Sequence, residues 1–398
     1  MPKNIVICSD GTGNSDTGRV PSNVKRLFDL LGRDPDRQVS IYDPGVGTDP
    51  RRPGESPAGY WRQHLAELCF GAGIATNLLE LYTYLVDRYQ PGDRVYLFGF
   101  SRGAFTVRAL AGLVHVCGLL RHDQIRLTSE AVQLYEGSEE RIIRRRRELG
   151  YAPRFSANET DHGAMDLEAA AFKKSHGQPC EVHLLGIWDT VKAYGWLNPR
   201  SFPALRHNPS VQRVRHAAAL DERRALFQVT GWGDRHAQVK EVWFAGDHAD
   251  VGGGHEDGNS ALTDASLVWM LGEATQEGLA IDPGRRCAIQ QILRNSTAAT
   301  RTAAKDLWIK RGFVGLDLAP RVELENAVYP PNRHKRVLCL NGARKPGDHD
   351  FGRQVYVHHT VEARLRAGEA AYRRARLTRA TDPGKRIHLQ VAEDLEIR

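Results

Sequence analysis

Cysteine is scarce in this chain, and no two cysteines stand in a Cys-x-x-Cys pair. Cys8, Cys69, Cys117, Cys180, Cys287 and Cys339 are scattered over 398 residues. That spacing excludes a zinc ribbon or a dithiol redox pair. The apolar settings of Cys8 (IVICSD) and Cys339 (VLCLNG) read as reduced thiols in a core. The His-Glu-x-x-His spacing of a zinc hydrolase is also missing. No apolar run reaches the roughly 20 residues that span a bilayer. The N-terminal MPKNIVICSDG has no long apolar stretch followed by a small-residue cleavage site, so no signal peptide is expected. A cytoplasmic protein is the default expectation, with export by a signal-less route left open. Internal repeats and low-complexity tracts are absent as well.

Charge is present in excess of one sign. The formal net charge is +7, a balance that can favour phosphates or an anionic surface. Most of it is diffuse. The dense run is Arg141, Arg144, Arg145, Arg146 and Arg147, in a helix-like stretch with acidic neighbours. It reads first as a solvated helix face and second as a transient contact with an anionic membrane surface. No zinc finger, recognition helix or aromatic ribonucleoprotein motif accompanies it, so no nucleic-acid partner is expected.

Apolar runs alternate with amphipathic ones through the first 120 residues. Residues 4–8, 38–42 and 94–98 read as buried strands. Helical spacing follows at 23–31, around 74–85 and beyond Ser101. This alternation predicts an α/β fold: a mostly parallel central sheet with helices on both faces. Residues 121–178 are polar and weakly periodic and are expected to form a helical insertion or lid. Strand patterns resume at 181–188 and 238–244, with helices expected at 213–222 and 259–273. The catalytic core is expected over 1–278, and 279–398 as a peripheral C-terminal subdomain and tail.

Three apolar runs end in groups capable of chemistry. The first ends in Gly99-Phe100-Ser101-Arg102-Gly103, the Gly-x-Ser-x-Gly arrangement of a strand-to-helix turn. The second ends in Asp189, and the third leads through Ala245-Gly246-Asp247 to His248. Acyl transfer needs a hydroxyl nucleophile, an imidazole to move its proton and a carboxylate to fix the imidazole tautomer. Ser101, Asp189 and His248 supply these in the chain order of α/β-hydrolases. His255, His358 and His359 are rival bases, and Asp250 is a rival orienter of His248.

The oxyanion donors expected are the N–H of Arg102 and that of Gly11 or Thr12, in the loop after the first strand. Asp10 is expected to organise that loop. Arg102 and Arg108 could meet an anionic headgroup, Arg108 more readily a carboxylate within the fold. The triad reading requires no cofactor.

A second arrangement stays open on the residues alone. Asp10, Asp189, Asp247, Asp250 and His248 could form an oxygen-rich set for magnesium, calcium or manganese in a metal-dependent phosphoesterase. SDGT is superficially similar to aspartyl-phosphate phosphatases, but those carry a further Asp two residues before Asp-Gly, where this chain has Cys8. A third reading keeps the scaffold for binding alone.

CSDGTGN (8–14), VYLFGFSRGAFTVRALAGLV (95–114), GIWDTV (186–191), RHAAALDERR (215–224) and DHADVGGG (247–254) occur in that order. In these motifs the chain resembles the DUF2235 family, the α/β-hydrolase group that includes catalytic domains of type VI secretion Tle1-like phospholipase effectors. The likeness spans about residues 3–275, with YVHHTVEARL (356–365) as a further block. It implies Ser101 as nucleophile, Asp189 as acid and His248 as base, acting on an ester substrate such as a phospholipid. The chain departs from the family at Gly13, where an aromatic is common, and at Asp247, where an apolar residue usually precedes the base.

Overall fold

Side chains of successive strand residues point to opposite faces of a sheet. In the first strand Ile5 and Ile7 face one way and Val6 and Cys8 the other, and all four are fully buried. A sheet built of such strands has to be covered on both faces. The structure, a computed structural model, describes residues 2–11, 21–45, 72–150, 166–191, 202–220, 222, 227, 229–233, 238–254 and 261–302, with the backbone of 322–323, 337–338, 354–358 and 388–392.

The strands are β1 (Asn4–Ser9), β2 (Gln38–Asp43), β3 (Arg94–Phe100), β4 (Leu119–Leu120), β5 (Gly177–Gln178), β6 (Val182–Trp188), β7 (Arg213–Ala219), β8 (Gln238–Phe244), β9 (Val322–Glu323), β10 (Val337–Leu338), β11 (Gln354–His358) and β12 (His388–Ala392). Eight of them form one sheet in the order β12-β11-β8-β7-β6-β3-β1-β2, with every pairing parallel. Segment 279–398, expected to be peripheral, thus contributes β11 and β12 to the central sheet.

The helices are α1 (Asn23–Leu30), α2 (Ala72–Arg88), α3 (Arg102–Cys117), α4 (Thr128–Glu148), α5 (Leu167–His176), α6 (His248–Gly252), α7 (Ala261–Gln276) and α8 (Arg286–Thr302). One core joins Ile5, Ile7, Val95 and Leu97 of the sheet to α2, α3, α4 and α5. The other joins Val6, Cys8, Tyr96 and Phe98 to α1, α7 and α8. The 121–178 stretch supplies α4 and α5 to the first face. Helix α3 is buried from Arg102 to Val114 because sheet and helices enclose it. No helix among the described residues is long and apolar enough to cross a membrane.

One expected element changes type. Residues 213–219 are strand β7, not a helix. The alanines of RVRHAAA favour a helix locally, but the segment lies between β6 and β8 and completes both of their ladders. Sheet pairing overrides local propensity there, and small side chains at Ala217 and Ala219 let the covering core approach closely.

The chain leaves β1 for β2 on one side and places β3 on the other. Ligands of open α/β sheets bind at such a reversal, beyond the strands' carboxyl ends. The register aligns those ends: Ser9 opposes Gly99, Phe100 opposes Trp188, Trp188 opposes Ala217, and Ala219 opposes Phe244.

Candidate active site

Strand β3 turns into α3 within one residue. Ser101 adopts φ 57° and ψ −117°, a left-handed conformation that costs a non-glycine residue about 1–3 kcal/mol. The flanking glycines permit the turn. A Cβ on Gly99 would lie 2.6 Å from the Ala104 backbone. One on Gly103 would overlap the Ser9 carbonyl and lie 2.6 Å from that of Asp10. The elbow therefore seats α3 directly on the end of β1 and lifts the Ser101 side chain above the sheet.

His248 reaches Ser101 from three strands away. It opens the short helix α6, whose start is fixed by a reciprocal cap. Asp247 accepts from the amides of Ala249 and Asp250, both at 3.0 Å, and Asp250 accepts from the Asp247 amide at 2.9 Å. The two aspartates thus set the backbone under the imidazole. Glu222, 2% exposed, also accepts from the His248 amide at 3.3 Å. The ring packs against Phe100 and Phe227, with centroids at 4.6 and 4.9 Å.

His248 Nδ1 is 2.5 Å from Asp189 Oδ2, and Nε2 is 2.9 Å from Ser101 Oγ. The carboxylate accepts the Nδ1 proton, which leaves Nε2 to accept the serine hydroxyl. Asp189 is fully buried and has φ 39°. Its Oδ1 accepts from the Ala219 amide at 2.9 Å and its own amide donates to Ala217 O at 2.7 Å. Both carboxylate oxygens are thus committed.

The turn after Asp189 is held by groups that sequence reading missed. The Thr190 amide donates to His216 Nε2 at 3.4 Å, and His216 Nδ1 donates to Glu241 at 2.8 Å. Thr190 O accepts from the Thr230 amide at 2.9 Å. Arg108, on α3, donates to the carbonyls of Leu205, Thr230 and Gly231 at 2.9, 2.6 and 2.8 Å. Its guanidinium lies 5.3 Å from the Trp232 ring centroid. Burial pulls its pKa down to about 9, still above neutrality. Among the described residues Arg108 thus directs its donors to backbone carbonyls rather than to a carboxylate. It ties the nucleophile helix to the loop that braces the acid.

Asp10, 1% exposed, organises the first loop. It accepts from the hydroxyls of Ser22 and Tyr42 and from the Gly11 amide, the last at 2.7 Å. Gly11 lies against Ser101, but this amide is already directed at Asp10. The Gly11 N–H, an expected oxyanion donor, is thus held by the Asp10 carboxylate in this structure. Thr12 lies outside the described residues, as do Gly13, His255, His359 and the side chain of His358. Arg102 is the first residue of α3, which places its amide at the helix's positive end. Its side chain is 8% exposed.

Through these bonds Asp10 serves the first loop, Asp189 holds His248 and the end of β7, and Asp247 and Asp250 share the cap of α6. Among the described residues no group of three or more His, Cys, Asp or Glu side chains is arranged to hold a metal ion.

Behind the triad, Asn23 at the start of α1 grips the segment after His248. Its side-chain amide lies 3.0 Å from Val251 O and 2.9 Å from both Thr263 O and Ser266 Oγ. Ser22 also forms a bridge with Gly253.

A parallel sheet covered on both faces, with a strained serine at its edge hydrogen-bonded to a histidine–aspartate pair, defines an α/β-hydrolase-like fold carrying a triad. The chain belongs to the family described as "T6SS, Phospholipase effector Tle1-like, catalytic domain", whose sequence model matches residues 3–273. It is 33% identical over 236 residues to the Saccharomyces cerevisiae protein "Uncharacterized protein YEL023C". That match covers 57% of this chain and 32% of the yeast protein, so the chain spans about a third of that relative's length. Two solved structures are similar at lower identity. A crystal structure of an uncharacterized protein from Pseudomonas aeruginosa matches with a TM-score of 0.37 at 19% identity, covering 76% of this chain and 51% of that one. The structure of the Tle1 effector bound to the VgrG spike of the type 6 secretion system matches with a TM-score of 0.35 at 20% identity, covering 64% and 51%.

Proposed function

We propose that this chain is a serine hydrolase that cleaves carboxylic esters, with lipid acyl esters as its substrate class. The observation that carries the reading is the unbroken relay from Asp189 through His248 to Ser101, at 2.5 and 2.9 Å. Membership of a phospholipase effector family supports the lipid assignment.

In this mechanism His248 Nε2 takes the hydroxyl proton as Ser101 Oγ attacks the ester carbonyl. The tetrahedral oxyanion meets the Arg102 amide and a second amide from the loop after β1, with Thr12 as the expected donor. Asp189 stabilises the imidazolium. His248 then protonates the leaving alcohol, and the acyl group stays on Ser101. Water, deprotonated by the same imidazole, attacks the acyl-enzyme and releases the carboxylic acid. The strain at Ser101 keeps the nucleophile presented, so little reorganisation precedes attack.

A fluorophosphonate should label the folded protein, and Ser101→Ala should abolish labelling. A panel of p-nitrophenyl esters of increasing acyl length, run beside phosphate esters, should show turnover of the carboxylic esters. Turnover confined to phosphate esters, or retained by Ser101→Ala, would overturn the reading.

A further inference from the structure

The arginine run stands at the active-site end of the molecule, and its position follows from helix packing. Cys117 Sγ of α3 lies 3.6 Å from Ala131 O of α4. Five residues back along α3, Gly112 meets the Tyr135 hydroxyl, four residues on along α4. The helices are therefore antiparallel. Continuing that register brings residues 144–149 level with the turn that carries Ser101. Arg141 pairs with Asp166, the cap of α5, at 2.8 Å, so α5 begins near the same end, about 9 Å lower along the axis.

The surface formed there is unlike the rest. Arg144, Arg145 and Arg147 are exposed, whereas Arg146 turns inward and is 2% exposed. Arg145 has Glu148 at 3.1 Å, an exposed pair of little energetic weight. Arg144 and Arg147 meet no carboxylate among the described residues. Leu149 (45% exposed) and Leu167 (60%) are the exposed large hydrophobic residues among those described, and both flank this arginine group. Unpaired cations beside protruding leucines match an anionic bilayer, where phosphates meet the guanidinium groups and the acyl boundary receives the leucines.

We propose that Arg144, Arg147, Leu149 and Leu167 form a docking surface for an anionic phospholipid bilayer, placed beside the cleft so that bound lipid faces Ser101. The proposal rests on the ester-hydrolase reading for its purpose, but not for the binding itself.

The test uses the full chain carrying Ser101→Ala, so that lipid is not consumed, and sedimentation with two kinds of vesicle. One is phosphatidylcholine alone; the other contains phosphatidylglycerol at about one part in three. The protein should prefer the anionic vesicles. Arg144→Glu with Arg147→Glu should reduce that binding by about 25-fold or more, at roughly one factor of five per arginine. Leu149→Ser with Leu167→Ser should weaken binding to both kinds. In the Ser101 background, all four substitutions should leave turnover of a soluble butyrate ester unchanged, which also reports folding. Equal binding to both vesicles, no binding to either, or undiminished binding by the charge-reversed protein would overturn the surface. Loss of soluble turnover in the native chain, with vesicle preference intact, would overturn the hydrolase reading instead.

Discussion

Asp189→Asn isolates the role of one oxygen in the relay. The side chain keeps its size, but its orientation is dictated by the surrounding bonds. The Ala219 amide donates to one terminus at 2.9 Å and His248 Nδ1 faces the other at 2.5 Å. If the new NH₂ faced Ala219, two donors would oppose each other in a dry site, at a cost of about 1–3 kcal/mol. The amide oxygen therefore stays on Ala219 and the NH₂ turns to the imidazole. Nδ1 must then accept, the ring proton moves to Nε2, and the ring presents a donor to Ser101 where an acceptor is needed. The fold is retained while the base is lost. Turnover of a soluble ester should fall by about 10³–10⁴, or roughly 4–5.5 kcal/mol of transition-state stabilisation. The fluorophosphonate labelling rate should fall in parallel, with the melting temperature little changed. A variant that keeps turnover within about tenfold of the native chain at the same melting temperature would refute the tautomer argument.

Other perturbations test the supports. Gly103→Ala forces a methyl group into the Ser9 carbonyl; it should destabilise the fold by about 1–3 kcal/mol or more and remove labelling of Ser101, read by denaturant titration and fluorophosphonate. Arg108→Met leaves the carbonyls of Leu205, Thr230 and Gly231 without their buried donor; about 3 kcal/mol or more should be lost, with ester turnover at saturation falling further than the stable fraction alone explains. Burial alone would raise the Asp166 pKa, but hydrogen bonds from Arg141 and the Ala169 amide, with the Arg141 charge, outweigh it and hold the carboxyl below its ordinary value of 3.8. Its contribution is thus present above that value and disappears as pH falls through the lower, folded one. Asp166→Ala should cost about 1 kcal/mol at neutral pH, from the lost helix cap, and the gap to the native chain should narrow below pH 3.8 in chemical denaturation.

The residues that meet at the site were legible because each follows an apolar run that ends at one sheet edge. A parallel sheet converts that sequence pattern into proximity, so Ser101, Asp189 and His248 could be picked out before any distance was known. What surrounds them was not legible. His216 and Glu241 sit on neighbouring strands, and their pairing depends on register, which a single strand does not encode. Phe227 and Glu222 lie in a charged stretch with no periodicity to mark an inward side chain. Arg108 suggested an ion pair because a buried cation usually seeks a carboxylate; three carbonyls from two irregular loops took that place. The alanines of β7 favoured a helix because local propensity carries no information about the strands on either side. Gly11 sits where an oxyanion donor would be sought, yet the direction of its N–H depends on the side chain before it.

The hold of Asn23 on Val251, Thr263 and Ser266 has a consequence for how such a protein can diversify. The chain is pinned on both sides of residues 255–260, once just after the catalytic ring and once inside the next helix. Changes of length between those pins are mechanically isolated from His248, so relatives can vary the chain there without retuning the proton relay.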